Sequence, residues 1–260
     1  MIADFNPTNF LGQVPADNAN NTIVMLDTKS GITILFFSEE TLPAIQIYKR
    51  VSSINEMVFG YLKTFPLSKK KVVINSPFFS VFPPDHLNLI NKDELANSLF
   101  KTEDFEVEIS NHLPAFHFLF LVDKDLKRKK TLNLPFASFY HAAQLFLLQS
   151  IELKSEAPQI VNLDIQEGFF YASMFQDGEL KLINSYSFSD INEFGFYSLG
   201  IIKNLDFDSK SLILNLSGNV ADDSPMYSLL KKYITNIRFH HDYSDKIFYG
   251  FHHLIRQINS

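Results

Sequence analysis

Two short motifs that recur in the same order constrain the fold of this chain more than any other feature of its sequence. The pattern Leu-Asp-x-x-x-Gly at 26–31 returns 137 residues later, so that Asp164 corresponds to Asp27. The triplet Ile-Asn-Glu at 54–56 returns at the same offset, and in both copies an apolar segment ending in asparagine follows, VVIN and then LILN. Matches in one order indicate an internal duplication.

The periodicity of apolar residues predicts the same order of elements in both copies. Each copy is expected to run as three strands, a helix and a further, fully apolar strand. In the first copy these are strands within 22–37 around a turn at 27–31, a strand at 44–48, a helix from 53 and a strand at 72–74. In the second copy, strands at 169–175 and 180–185 flank a turn, and Ser224 before Pro225 marks a helix start.

The domain organisation follows from this repeat. We predict a leader at 1–21, a first lobe at 22–152, a second lobe at 158–250 and a tail at 251–260, with the linker at 154–158. The leader is rich in Asn, Asp and Pro without periodicity, which suits a flexible segment or a strand added to a sheet edge. A further helix near 93–100, a strand at 115–122 and a long helix at 139–151 complete the first lobe.

Composition excludes several classes of function. A net charge of -6 argues against binding to duplex nucleic acid, because that affinity comes from cations that neutralise phosphates. The basic run at 127–130 is flanked by acidic residues and is typical of a solvated surface. The absence of cysteine excludes disulfides, thiolate catalysis and cysteine-ligated zinc. The longest apolar stretch, 134–151, is broken by polar residues and no secretory leader is visible, so we expect a cytoplasmic protein without a membrane span.

A resemblance to a known fold narrows the prediction. Two β-β-β-α-β lobes, each opened by a D-x-x-x-G hairpin, resemble the actin-like branch of the ribonuclease-H-like α/β fold. The second half is similar to a Bacteroidota family called domain of unknown function 3822, on the segments GFFY at 168–171, DGEL at 177–180, LSGN at 216–219 and MY at 226–227. This resemblance implies two duplicated lobes with an interlobe cleft and an actin-like ATPase fold without an assigned activity.

The same resemblance implies where a nucleotide would bind. In actin-like ATPases an Asp at the start of each hairpin holds hydrated Mg²⁺, and glycine-rich backbone holds phosphates. The matching cofactor-binding residues are Asp27, Lys29, Ser30 and Gly31 in the first hairpin, Asp164 and Gly168 in the second, and Ser217 and Gly218 in the adenosine loop. All three loops depart from the pattern, because Lys29 and Gln166 replace glycines and Glu167 adds a negative charge.

Two functions remain open at this level. In the first, the chain binds no cofactor and is a non-catalytic module for protein binding or assembly, with Asp27 and Asp164 as turn residues. In the second, both carboxylates still place Mg-ATP in the interlobe cleft of an ATPase or small-molecule kinase. The lost glycines favour the first, so we expect an unidentified protein partner and no enzymatic activity; the oligomeric state stays open.

Histidines and aromatic residues supply the remaining candidates. His141 follows Ser138 at helical spacing and is a possible general base, although a buried structural histidine is the simpler interpretation. The pairs at 240–241 and 252–253 lack a third metal ligand at suitable spacing. Phe248, Tyr249 and Phe251 are denser than one strand face can bury, so we expect either a partner or the N-terminal leader to cover them.

Overall fold

The computed structural model describes residues 7, 9–38, 43–49, 54–89, 91, 94, 104–113 and 115–240. These residues divide into two compact units, one ending at Ala142 and the other beginning at Ala143. Each unit contains a mixed β-sheet with helices, as the duplication predicts, so the protein has a two-lobed α/β fold. The exact lobe boundaries proposed from the sequence stay a prediction.

The first unit is built on a six-stranded sheet in the order β1-β4-β3-β2-β5-β9. A separate three-stranded sheet has the order β6-β8-β7. The strands are β1 (Asn9–Leu11), β2 (Thr22–Asp27), β3 (Gly31–Phe37), β4 (Ala44–Lys49), β5 (Lys69–Ile74), β6 (Phe79–Phe82), β7 (Phe105–Leu113), β8 (Phe116–Asp123) and β9 (Ser138–His141). The helices are α1 (Ile54–Leu62), a 3-10 helix (Pro84–Leu89) and α2 (Lys124–Asn133).

The second unit is built on a five-stranded sheet in the order β12-β11-β10-β13-β14. Its strands are β10 (Gln159–Gln166), β11 (Phe169–Gln176), β12 (Glu179–Ser187), β13 (Ile213–Gly218) and β14 (Asn236–Phe239). Its helices are α3 (Ala142–Leu153), α4 (Ile191–Asn204) and α5 (Pro225–Leu230). Helix α4 and the sheet enclose one apolar core, which includes Phe170, Phe194 and Leu214.

The two sheets repeat one topology. Strands β4-β3-β2-β5-β9 of the first unit correspond in order and direction to β12-β11-β10-β13-β14 of the second. In both, the first three strands are antiparallel neighbours and the last two pair in parallel. Helix α1 follows the third strand of its lobe, β4, as α4 follows β12. The duplication predicted from the motifs is therefore a duplication of structure.

Local signals explain where several elements begin. The Asp190 carboxylate caps α4 by accepting from the backbone amides of Asn192 and Glu193, and Ser224 caps α5 in front of Pro225. The β11–β12 hairpin turns through Asp177 and Gly178, both with positive φ, as its two-residue connection requires. Strand β1 pairs with β4, so part of the leader is an edge strand.

One predicted element is wrong. The long helix expected at 139–151 begins only at Ala142, because Ser138–His141 forms strand β9 in parallel with β5. Ser138 and His141 therefore do not share a helix face. The helix expected at 93–100 lies almost wholly outside the described residues. Among the helices that the structure describes, none is long and apolar enough to cross a bilayer.

Candidate functional site

The first hairpin, between β2 and β3, satisfies its own polar groups. The Gly31 amide donates to Thr28 Oγ1 at 3.2 Å, and the Thr28 amide donates to the Gly31 carbonyl at 3.0 Å. Thr28 Oγ1 also lies 3.2 Å from Ser30 Oγ. Lys29 and Ser30 are exposed, whereas Gly31 is buried as the first residue of β3. The amide of the last glycine of the motif is thus used inside the turn.

The two motif aspartates lie on opposite faces of equivalent sheets. Asp27 pairs with Ile32 and shares the face of Phe36, which contacts Tyr61 of α1. Asp164 lies two residues before the end of β10, on the face opposite to the apolar core under α4. The expectation that both begin equivalent hairpins is wrong, because the β2–β3 connection has four residues before β3 pairs again and the β10–β11 connection has two.

Asp164 is fully buried and its carboxylate is engaged inside the second unit. Ser217 Oγ donates to Oδ1 at 2.7 Å, and Gln166 Nε2 donates to Oδ2 at 2.6 Å. Each of the two carboxylate oxygens therefore already accepts a hydrogen bond from a neighbouring side chain. A buried carboxylate held in this way fixes the positions of the strands that carry it and its partners.

The segment matched to the adenosine loop is the end of a strand. Leu216, Ser217 and Gly218 belong to β13, and the chain leaves the sheet only at Asn219, whose amide donates to the Ile165 carbonyl at 2.6 Å. A Cβ at Gly218 would overlap that same carbonyl and lie 2.7 Å from the Ile165 amide nitrogen. With φ at 82°, this glycine is required for close contact between β13 and β10.

Gly168 also has a local role. It completes the two-residue connection between β10 and β11 with φ at 79°, and its carbonyl accepts from the Phe188 amide at 2.9 Å. Glu167, which precedes it, is exposed. The positive φ of Gly168 by itself explains why a glycine stands at this position.

The polar face of the second sheet continues beyond Asp164. Asn162, Asp164, Ser173, Asn215 and Ser217, which we call the polar ladder, are all buried on this face. Asn215 Nδ2 donates to Asn162 Oδ1 at 2.8 Å, and Asn162 Nδ2 donates to Ser173 Oγ at 3.0 Å. At the β14 end, His240 Nε2 lies 3.1 Å from Asn215 Oδ1. Side chains from three adjacent strands and from the residue that follows β14 are thereby joined.

Helix α3 lies on the same face. Phe146 stacks on Tyr171 with ring centroids 6.0 Å apart, and Gln149 borders a cavity of about 10 Å³ beside Asn215, Ser217 and His240. That volume is close to one water molecule. Gln149 Nε2 is buried without a hydrogen-bond partner within the described part of the chain. The cavity is far too small for a nucleotide.

His141 has a different environment in the first unit. It is fully buried between the rings of Phe79 and Phe120, at 5.1 and 5.2 Å, and its Nε2 lies 3.3 Å from Ser76 Oγ. Burial lowers the pKa of His141 to about 3, against a smaller opposing effect of a hydrogen bond to the Ser76 backbone. A histidine with this pKa and no solvent access is a structural residue and a poor general base.

The other sequence candidates give no site within the described residues. The basic run lies on α2, where Lys127 pairs with Glu106 and Glu108, and Arg128 and Lys129 pair with Asp125. In the ranges that the structure describes, no three His, Asp or Glu side chains are grouped to hold a metal. Phe248, Tyr249 and Phe251 lie outside the described residues, so the partner site proposed there stays a prediction.

Comparison with known proteins identifies the family. Residues 22–237 match the family model described as protein of unknown function, DUF3822. The chain belongs to this family. No curated protein matches the DUF3822 chain at a significant level. The family match confirms the resemblance seen in the second half of the sequence.

Solved structures confirm the fold of this DUF3822 protein. A Bacteroides thetaiotaomicron protein with an actin-like ATPase fold and unknown function is similar at a TM-score of 0.74, with 18% identity over 85% of this chain and 91% of that chain. The PilM-PilN type IV pilus biogenesis complex is similar at a TM-score of 0.52, with 10% identity over 92% of this chain and 96% of that chain. At these identities the similarity establishes the actin-like ATPase fold and nothing finer.

The polar ladder is the feature that sequence reasoning missed in this DUF3822 chain. Asn162, Asp164 and Gln166 alternate with apolar residues, a pattern that indicates a strand with one face in water. The structure buries both faces instead. The asparagine shared by VVIN and LILN was the available signal, since Asn215 joins the ladder.

Proposed function

We propose that this DUF3822 protein is a non-catalytic module for protein binding or assembly, and that its nucleotide loops no longer hold Mg-ATP. The observation that carries the proposal is the engaged state of Asp164, whose two oxygens accept from Ser217 and Gln166 while the side chain is fully buried. A carboxylate that binds hydrated Mg²⁺ must face solvent and accept from metal-bound water.

The glycines support the same conclusion. Gly31 donates its amide inside its own turn, Gly168 completes a two-residue connection, and Gly218 allows contact with the Ile165 backbone. Each of the three motif glycines therefore has a structural role that requires no phosphate. The negative charge of Glu167, which is exposed beside Gly168, would repel a phosphate.

An assembly role fits the use of this fold elsewhere. The PilM-PilN structure is named as a biogenesis complex, in which a protein of this fold works with a protein partner. We propose that the DUF3822 chain likewise acts by contact with protein, in the cytoplasm as the sequence predicts. The alternative, an ATPase or kinase, requires Asp27 and Asp164 to share one Mg-ATP.

Calorimetric titration of the full chain with Mg-ATP and Mg-ADP tests the proposal. We expect no saturable binding at micromolar nucleotide. Binding in that range, lost in Asp27→Ala and retained in the control Asp85→Ala, would overturn the proposal that the loops no longer hold Mg-ATP. Asp85 is an exposed carboxylate in the 3-10 helix and serves as the matched surface control.

The aromatic segment at 248–251 is the sequence-based candidate for the partner site. Pull-down from native lysate compares the wild-type chain with Phe248→Ala/Phe251→Ala. Loss of a co-purifying protein in the variant is the expected result. Identical sets of co-purifying proteins contradict this site.

A further inference from the structure

An open groove lies in the second unit, between α4 and the segment around α5. Its volume is about 890 Å³, and it is bordered mainly by apolar and aromatic side chains together with a few polar ones. Phe196 and Tyr233 border it and are 75% and 57% exposed. Exposed aromatics beside a groove of this size are typical of a surface that contacts another protein.

Two glycines of α4 shape the groove. At Gly195 a Cβ would lie 2.6 Å from Leu229 Cδ2, so the absence of a side chain lets α4 approach α5 closely. At Gly200 a Cβ would meet no atom within 4 Å, so this glycine leaves the groove open. The groove is therefore closed near Gly195, where α4 and α5 are in contact, and open to solvent near Gly200.

Two opposite charges border the same groove. Lys203 lies in the last turn of α4, and Asp206 lies just beyond the end of that helix. Both line the groove. Neither forms an ion pair within the described residues. A partner of a single charge would meet repulsion from one of them, whereas a second copy turned by a two-fold axis places each Lys203 against the other copy's Asp206.

Asp206 adopts a backbone conformation that favours another residue. Its φ is 54°, and its amide donates to the Lys203 carbonyl at 3.1 Å, so it stands at the left-handed position after a helix where glycine is preferred. The conformation costs an aspartate more than it would a glycine. Aspartate is among the few non-glycine residues that adopt this conformation readily, so Asp206→Gly removes the charge without straining the backbone.

We propose that this groove is the interface of a symmetric homodimer, in which Phe196 of each copy enters the groove of the other and Lys203 pairs with Asp206 across the two-fold axis. The proposal deepens the assembly role proposed above and rests on it. Because a patch made by one helix and the segment beside it is small for a protein interface, the dimer is expected to dissociate in the micromolar range.

Sedimentation of the full chain across about 1 µM to about 1 mM tests this interface. The wild-type chain is expected to pass from monomer to dimer, and Phe196→Ala to weaken the dimer by at least about tenfold. Phe136→Ala, which removes a phenylalanine that is 98% exposed in the first unit, is the matched control and should leave the dimer intact. A chain that stays monomeric throughout overturns the proposal.

Charge variants separate the interface from folding. Lys203→Glu is expected to weaken the dimer, and Lys203→Glu/Asp206→Lys to restore it, because the two-fold pairs are then exchanged. Asp206→Gly should raise Tm while it weakens the dimer, whereas Asp177→Gly, also at a positive φ but distant in the chain, should leave the dimer unchanged. Failure of the double exchange to restore association contradicts the pairing.

The same samples distinguish this proposal from the proposed function. Sedimentation is repeated with Mg-ATP. A monomeric chain that binds no nucleotide overturns the homodimer alone, whereas a dimer that binds Mg-ATP overturns only the proposal that the nucleotide loops no longer hold Mg-ATP.

Discussion

The two sheets share one topology but differ on one face. In the second sheet, the face opposite to α4 carries the polar ladder, with Asn162 and Asp164 on the central strand. In the first sheet, the face opposite to α1 carries Val24 and Leu26 at the corresponding strand positions, both buried. A duplicated backbone order therefore does not require a duplicated interior.

This difference gives the two motif aspartates different surroundings. When the hairpins are aligned by face, Asp164 corresponds to Leu26, and Asp27 corresponds to Ile165. The D-x-x-x-G match thus joins residues that point in opposite directions. Only Asp27 remains half-buried at a strand end, while Asp164 is part of an internal hydrogen-bond network.

The largest expected effect comes from placing the ladder's carboxylate in the first sheet. Leu26→Asp buries a charge beside a cross-strand neighbour, Thr33, that offers only one hydroxyl, so it should lower the free energy of unfolding by about 4 kcal/mol or more. Leu26→Met, which keeps the volume, should cost less than about 1.5 kcal/mol. Urea unfolding followed by circular dichroism measures both. Equal stability of the two variants would show that this face tolerates charge.

The reverse experiment removes the carboxylate from the second sheet. Asp164→Ala leaves the Ser217 hydroxyl and the Gln166 amide without their acceptor, so it should destabilise the fold by about 2–4 kcal/mol. Asp164→Asn keeps an oxygen and should cost less. An Asp164→Ala variant as stable as wild type in the same urea assay would argue that the carboxylate is retained for a ligand.

The pH dependence of stability probes the apolar interior of the first unit. Since burial lowers the pKa of His141 to about 3, the folded state excludes a proton that the unfolded chain binds below about pH 6.5. Stability should therefore be unaffected by this group above pH 7 and should fall by about 2 kcal/mol between pH 7 and pH 5. His141→Leu should remove that part of the dependence. An unchanged pH profile in the variant would show that His141 is not buried as a neutral residue.

Prediction from sequence succeeded where the signal is local. The β-β-β-α-β order shared by both lobes, the Ser224 cap and the Asp177–Gly178 turn follow from apolar periodicity and backbone preference alone. The engaged state of Asp164 could not be predicted, because it depends on Ser217, a neighbour across the sheet and 53 residues away in the chain. Strand β9 was missed for the same reason, since its pairing with β5 overrides a helical pattern.

The smallest expected effect compares the equivalent helices α1 and α4. Gly60 of α1 is exposed and has open space around it, so Gly60→Ala should stabilise the protein by about 0.5–1 kcal/mol. Gly195→Ala in α4 should instead destabilise it by about 1 kcal/mol, because Leu229 must move. Thermal unfolding of the two variants measures the sign. Stabilisation by both would show that α4 and α5 do not pack closely.

A crystal structure of the full chain grown with Mg²⁺ and ATP tests the central claim most directly. The account predicts that Asp164 remains buried, with Ser217 Oγ and Gln166 Nε2 still donating to its two oxygens and no nucleotide density beside it. Asp164 turned towards solvent and bound through water to a magnesium ion that also holds ATP phosphates would contradict the account.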